Sequence, residues 1–139
     1  MESTHYKITE NNQNSYIYLD PVSPNKHENT LIFLHGLGDS AMGFLDVFAD
    51  QQLVPPTCRV VLPTAPRKPV SCNNGYVMNS WFDIFNLNGK TPDTMEEIWK
   101  EYNQQDLKDS AELLLKMVDE EAAKFEDKDA SRVFIGGFS

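Results

Sequence analysis

The run FIGGFS, Phe134–Ser139, places a serine two residues after a glycine, at the end of an apolar, β-forming stretch. A serine hydroxyl is a weak nucleophile until a base takes its proton, and it must be held where a carbonyl can reach it. A strand that breaks into Gly-x-Ser meets the second need, because the sharp strand-to-helix turn of a G-x-S-x-G elbow exposes the serine. Gly137, Phe138 and Ser139 supply the first half of that pattern. The chemistry it implies is acyl transfer through a serine ester. Gly-x-Ser alone recurs by chance about once per 200 positions, and a frayed terminus explains it as well, so its weight depends on the rest of the chain.

Acyl transfer also needs donors for the oxyanion that develops on the carbonyl. The segment HGLGDSAMG, residues 35–43, offers two readings. Gly36, Gly38 and Ala41 satisfy G-x-G-x-x-A, a turn that can hold a dinucleotide pyrophosphate. That reading requires an acidic residue about 20 positions on, at the end of the next strand. The next strand ends VVLPTAP, without a carboxylate, and no P-loop lysine is present. The other reading is half of an oxyanion hole. Hydrolases on open α/β sheets take one main-chain N–H from the loop after an early strand and one from the residue after the nucleophile. His35-Gly36 at a strand end, with Leu37 next, fits the first donor, and a plain glycine turn joining strand to helix fits the same residues.

Composition narrows the classes. The 139 residues carry 21 acidic and 12 basic side chains, a net charge of -9, which argues against a polyanionic partner such as nucleic acid. No run approaches the roughly 18 apolar residues that span a bilayer. The first 14 residues are polar and unlike a secretory signal. Cys58 and Cys72 form no CxxC pair, and the three histidines (His5, His27, His35) lack metal-ligand spacing. Two free thiols in a reducing compartment, the cytoplasm, are expected.

These candidate groups must be positioned by a sheet. SYIYL (Ser15–Leu19) alternates and predicts a strand with one buried face. LIFLH (Leu31–His35) and CRVVLP (Cys58–Pro63) are continuous apolar runs, expected of strands covered on both faces, and RVFIGGFS (Arg132–Ser139) reads as another buried strand. Ala41–Gln52 has helical spacing, with Phe44, Leu45, Val47 and Phe48 on one face. TAPRKP reads as an extended loop. Residues 71–90 read as a long structured loop with a short strand around Trp81–Ile84. Thr94 with Glu97 predicts a capping box. Leu107, Ala111, Leu114, Leu115, Val118, Ala122 and Phe125 form one stripe at a 3.6-residue period, predicting a helix over 107–125 with an acidic, lysine-rich solvated face. Strands alternating with helical crossovers predict a mainly parallel sheet with helices on both faces. Right-handed crossovers would put LIFLH, CRVVLP and RVFIGG near its centre. GLGD, TAPRKP and GGFS would then meet across a crevice at the strands' C-terminal edge.

LIFLHGLGDS (31–40), LPTAPRKPV (62–70), NSWFDIF (79–85) and RVFIGGFS (132–139), in that order, resemble the acyl-protein thioesterase branch of the α/β-hydrolases, the phospholipase/carboxylesterase family. The resemblance covers about residues 30–139. It implies an α/β, three-layer α/β-hydrolase fold with a mainly parallel sheet, here truncated after the nucleophile-bearing strand. Residues 1–139 would be the N-terminal portion of one such domain. It implies Ser139 as nucleophile and the Leu37 backbone N–H as oxyanion donor, in a loop shaped by His35, Gly36 and Gly38. Trp81 and Asp83 match a segment beside the active site, and side chains of 76–85 would help line an acyl groove, with core packing an equal account of Phe82 and Ile84. Met95, Ile98 and Trp99 would border the pocket, or dock a surface helix by its apolar face. The implied reaction is hydrolysis of a carboxylic ester or thioester through an acyl-enzyme, with no metal or organic cofactor. The implied substrates are acylated proteins, lysophospholipids or simple esters, without stable membrane insertion.

In that fold the chain order is Ser, Asp, His, so both partners of Ser139 and the second oxyanion donor, the N–H of residue 140, are expected downstream. Loss of triad members costs on the order of 10⁴ to 10⁶ in rate, so these 139 residues alone are expected to be inactive. The family usually has glutamine after the serine. A gene whose code reads stop triplets as glutamine would halt there under standard translation, and an exon-boundary error would look the same. A short, non-catalytic paralogue that binds acyl chains or a partner is the rival expectation, with a nucleotide-binding domain behind it.

Overall fold

The computed structural model describes residues 5–86 and 93–139. Seven strands and three helices follow in order: β1 (Tyr6–Asn11), β2 (Tyr16–Pro21), β3 (Asn29–Leu34), α1 (Met42–Asp50), β4 (Cys58–Leu62), β5 (Arg67–Val70), β6 (Tyr76–Asn79), α2 (Met95–Lys100), α3 (Gln104–Ala122) and β7 (Val133–Gly137). The main sheet runs β1-β2-β4-β3-β7. β4, β3 and β7 are parallel, while β1 and β2 join antiparallel at one end. β5 and β6 form a separate antiparallel hairpin.

Period-two alternation divides the apolar side chains between two layers. Ile17 and Leu19 of β2 and Val60 and Leu62 of β4 pack with Leu45, Phe48 and Ala49 of α1, flanked by Leu31 and Phe33 of β3. Ile32 of β3 and Val61 of β4 point the other way, onto Met117 of α3, with Leu34, Leu114, Val118 and Val133 around them. The sheet is therefore sandwiched between helices, the three-layer arrangement expected. Ile17, Leu19, Ile32 and Val60 are fully enclosed, and truncating such a side chain to alanine costs about 2–5 kcal/mol.

Several elements differ from the sequence reading. β1 falls in a segment read as polar; Tyr6 is buried while Lys7, Thr9 and Glu10 stay outside or at the rim, the pattern of a strand half in water. TAPRKP is not simply a loop, since its second half is β5, paired with β6 at Arg67↔Asn79 and Val70↔Tyr76. The strand expected near Trp81–Ile84 reduces to one bridge, Ile84↔Tyr102; residues 87–90 of that reading lie outside the described residues. In α3 the predicted stripe is met in its C-terminal half: Leu114 and Val118 pack on the sheet and Ala122 and Phe125 are buried, whereas Ala111 and Leu115, which is 62% exposed, face outward and Met117 and Glu121 are buried instead. Glu121 is buried in an ionic group: Arg59 of β4 reaches it at 2.7 Å and also reaches Asp20 of β2. α2 does not dock by its apolar face, because Met95 and Trp99 are exposed. β7 is an edge strand among the described residues, with Phe134 and Ile135 half exposed, not a buried central one.

Candidate active site

β3 and β7 are in register at Leu34↔Gly137, so the chain leaves both strands at the same edge of the sheet. The Phe138 N–H donates to the Leu34 carbonyl at 3.1 Å and continues the pairing by one residue. Ser139 then turns into the left-handed region, with φ 64. A non-glycine residue there is strained, as the serine of a strand-to-helix elbow is.

The loop after β3 lies against this turn. A Cβ on Gly36 would sit 3.2 Å from both the Phe138 carbonyl oxygen and the Ser139 Cβ, and 3.7 Å from Ser139 Oγ. Gly38 takes φ 80, which only glycine adopts cheaply. Its N–H donates to the Asn79 carbonyl at 2.9 Å, while Asn79 Nδ2 donates to the Asp39 carbonyl at 2.8 Å. The end of β6 thus holds the loop by main chain and side chain. Among the described residues the Leu37 N–H meets no acceptor, although those of Gly38 and Asp39 are both bonded.

His35 is buried beneath the loop. Its Nδ1 lies 2.7 Å from the Gly36 carbonyl oxygen, and its Nε2 accepts the Ala65 N–H at 2.9 Å. The Trp81 indole N–H donates to the His35 carbonyl at 2.9 Å, with the two rings 5.2 Å apart. The Ser110 hydroxyl of α3 in turn donates to the Trp81 carbonyl. Asp83 faces the β5–β6 hairpin instead of Ser139: it accepts from the Ser71 N–H at 2.8 Å and the Ser71 hydroxyl at 2.6 Å. Burial pushes its carboxyl up, but the hydrogen bonds from Ser71 and the Ile84 N–H prevail and hold it below the ordinary range. Phe82 stacks edge-on against Tyr102, and Ile84 bridges to the same residue. Both therefore meet the link into α3, Phe82 by its ring and Ile84 by its backbone. Phe138 lies 5.8 Å from the Phe44 ring of α1 and is 64% exposed.

The expected convergence of three segments is met in part. A crevice of about 630 Å³ is lined by Ser40, Met42, Thr64, Pro66, Arg67 and Asn79 among others, uniting the GLGDS loop with TAPR. Ser139 lies outside its lining and meets the loop through Gly36. The other two histidines are held elsewhere: His27 Nε2 is 2.7 Å from the Thr30 hydroxyl, and His5 Nε2 is 2.6 Å from Gln52. Cys58 and Cys72 are free thiols, as expected, and burial raises the Cys58 thiol. Among the described residues no cluster of three or more histidine, cysteine or carboxylate groups could hold a metal, and no helix is long and apolar enough to cross a membrane. Sequence reasoning missed Asn79, Ala65 and Ser110. Ala65 acts through its main-chain N–H and Asn79 in part through its carbonyl, which carry no residue signature; a hydroxyl on a helix with an apolar stripe was a usable signal for Ser110.

A family profile described as Phospholipase/Carboxylesterase matches residues 22–139. Acyl-protein thioesterase 1 of Cryptococcus neoformans var. neoformans serotype D is 39% identical over 119 residues, covering 85% of this chain and 47% of that protein. Acyl-protein thioesterase 1 homolog 1 of Dictyostelium discoideum is 34% identical over 128 residues, covering 91% of this chain and 51% of the relative. Among solved structures, Zea mays acyl-protein thioesterase 2 superposes with a TM-score of 0.62 at 27% identity, covering 89% of this chain and 46% of that one. The chain spans about half the length of the curated relatives it matches.

Proposed function

The chain belongs to the phospholipase/carboxylesterase family, and from that premise we propose that it carries the nucleophile and first oxyanion donor of a serine hydrolase acting on carboxylic esters or thioesters. The observation that carries the reading is the contact of Ser139, strained into the left-handed region, with Gly36, one residue before the unpaired Leu37 N–H. Ser139 Oγ attacks the acyl carbonyl, and the Leu37 N–H donates to the oxygen as it gains charge. The acyl-serine is then hydrolysed by water. S-acylated proteins are the favoured substrates, because the relatives bear the name acyl-protein thioesterase. Trp81 stands behind the loop on the His35 carbonyl, while Asp83 ties down the β5–β6 hairpin.

A base must take the Ser139 proton, and none of the chain's three histidines is placed for it. Both ring nitrogens of His35 are engaged, and His27 and His5 bond Thr30 and Gln52. The 139 residues on their own are therefore expected to be inactive.

A fluorophosphonate probe tests this. It should label one serine in the protein expressed from its native gene, and Ser139→Ala should abolish labelling, while the isolated 139-residue chain stays unlabelled. Native protein that resists the probe would sink the hydrolase reading in favour of an acyl- or partner-binding role.

A further inference from the structure

We infer that His35 is a positioning residue: a neutral imidazole, protonated on Nδ1, that clamps the Gly36–Leu37 peptide so that the Leu37 N–H faces away from the sheet core. The inference rests on the reading of Leu37 as an oxyanion donor and adds the device that aims it.

Hydrogen bonding fixes the ring's state. Nε2 accepts the Ala65 N–H at 2.9 Å, so it holds a lone pair and no proton. The partner of Nδ1 is a carbonyl oxygen 2.7 Å away, which can only accept, so the proton is on Nδ1. One tautomer satisfies both neighbours, and either alternative sets two donors or two acceptors face to face.

The consequence runs through one peptide plane. The Gly36–Leu37 unit is a trans peptide, so its C=O and N–H point in opposite directions. The Gly36 oxygen takes the His35 Nδ1–H and also the Asp39 N–H at 3.2 Å. Two donors on one oxygen hold the carbonyl inward, and the Leu37 N–H is thereby left outward and without an acceptor. His35 is itself immobilised from two further sides, by Ala65 after β4 and by the Trp81 indole on its carbonyl. Trp81 is anchored to α3 through Ser110. The donor is thus referenced to β4 and α3 as well as to its own glycine loop.

Isosteric variants separate the two nitrogens. In His35→Asn the amide nitrogen replaces Nδ1 and can still donate to Gly36. In His35→Gln the amide oxygen replaces Nε2 and can accept from Ala65, but no donor reaches Gly36. In the ¹⁵N-labelled 139-residue chain, ring spectra should show the Nδ1-protonated tautomer. The residual dipolar coupling of the Leu37 N–H, which reports the direction of that bond, should change in His35→Gln and persist in His35→Asn. A proton on Nε2, or a Leu37 coupling unmoved by His35→Gln, overturns the clamp; the wild-type ring alone decides if a variant fails to fold. In the protein expressed from its native gene, His35→Gln should lower kcat by about 10²-fold at unchanged KM, the cost of one oxyanion donor, with His35→Asn restoring much of it. An altered Leu37 coupling with unaltered kcat would leave the clamp standing and overturn the oxyanion reading of Leu37.

Discussion

The space a side chain would need at Gly36 is already taken by Ser139: a Cβ there would stand 3.2 Å from the serine's own Cβ. Contact that close forces the neighbour to give by a few tenths of an ångström, and the neighbour is the candidate nucleophile. Gly36→Ala should therefore act on chemistry more than on folding. We expect about tenfold lower ester turnover in the protein expressed from its native gene, since misplacement by 1 Å costs on the order of 10² in rate. Urea unfolding should move by about 1 kcal/mol, the lower end of the cost of overpacking. Unchanged turnover would mean that Ser139 does not react.

The Arg59–Glu121 pair makes the opposite prediction, a large effect on stability with no tie to the site. Arg59 is 11% exposed and Glu121 7%, joined at 2.7 Å, with the Tyr18 ring 4.8 Å under the guanidinium. Burial alone would lower the arginine's pKa; hydrogen bonding to Glu121 and then Asp20 reverses this and raises it, so the group stays charged. Removing one partner strands a buried charge. Glu121→Ala should cost about 3–5 kcal/mol by urea denaturation, and Arg59→Met combined with Glu121→Leu should recover most of it. A loss below about 1 kcal/mol in the single variant would show that Asp20 suffices.

The same pair marks the limit of what the sequence made legible. Strand positions followed from apolar runs for β3 and β4, which are covered on both faces, and from alternation for β2, whose pattern of burial alternates. The Gly-x-Ser and His-Gly segments came together because parallel strands send their C-terminal ends to one edge. What was misread depended on partners distant in sequence. The burial of Glu121 on α3 turns on its meeting Arg59, 62 residues away, and a lone glutamate in an acidic stretch reads as solvated surface. β5 was hidden by Pro69 and by its short length. The His35 clamp was invisible because two of its contacts, the Ala65 N–H and the Gly36 carbonyl, are main chain.

His27 should make stability sensitive to mild acid. Burial lowers its pKa first, the positive charge of Arg59 second, and its ring packs 4.4 Å from Phe125. The folded state therefore resists a proton that the unfolded chain accepts. Stability from this group is complete above the unfolded value of about 6.5 and is lost as pH falls below it, until the folded pKa is reached. His27→Phe keeps the aromatic contact and removes the titration. Between pH 7.5 and about 5.5 the wild-type Tm should fall more steeply than the variant's, with the curves parallel above pH 7.5. Asp83, its pKa lowered in the fold, acts in the same direction but only nearer its ordinary value of about 3.9. Parallel curves throughout would place the His27 proton equilibrium at its unfolded value.

β7 should govern self-association. Its inner edge pairs with β3, and among the described residues its outer edge pairs with nothing. Phe134, Ile135 and Phe138 are 54%, 52% and 64% exposed along it. An apolar edge with free main-chain donors and acceptors is a template for another strand. Strand alternation turns Phe134 and Ile135 to opposite faces, so one charge blocks only one face of an incoming sheet. The 139-residue chain should sediment as concentration-dependent oligomers. Phe134→Lys with Ile135→Lys should return it to monomer while costing little stability, because half-exposed positions contribute little. Oligomers that survive the double lysine variant would move the contact elsewhere, to the outer face of α3, where Leu115 is 62% exposed.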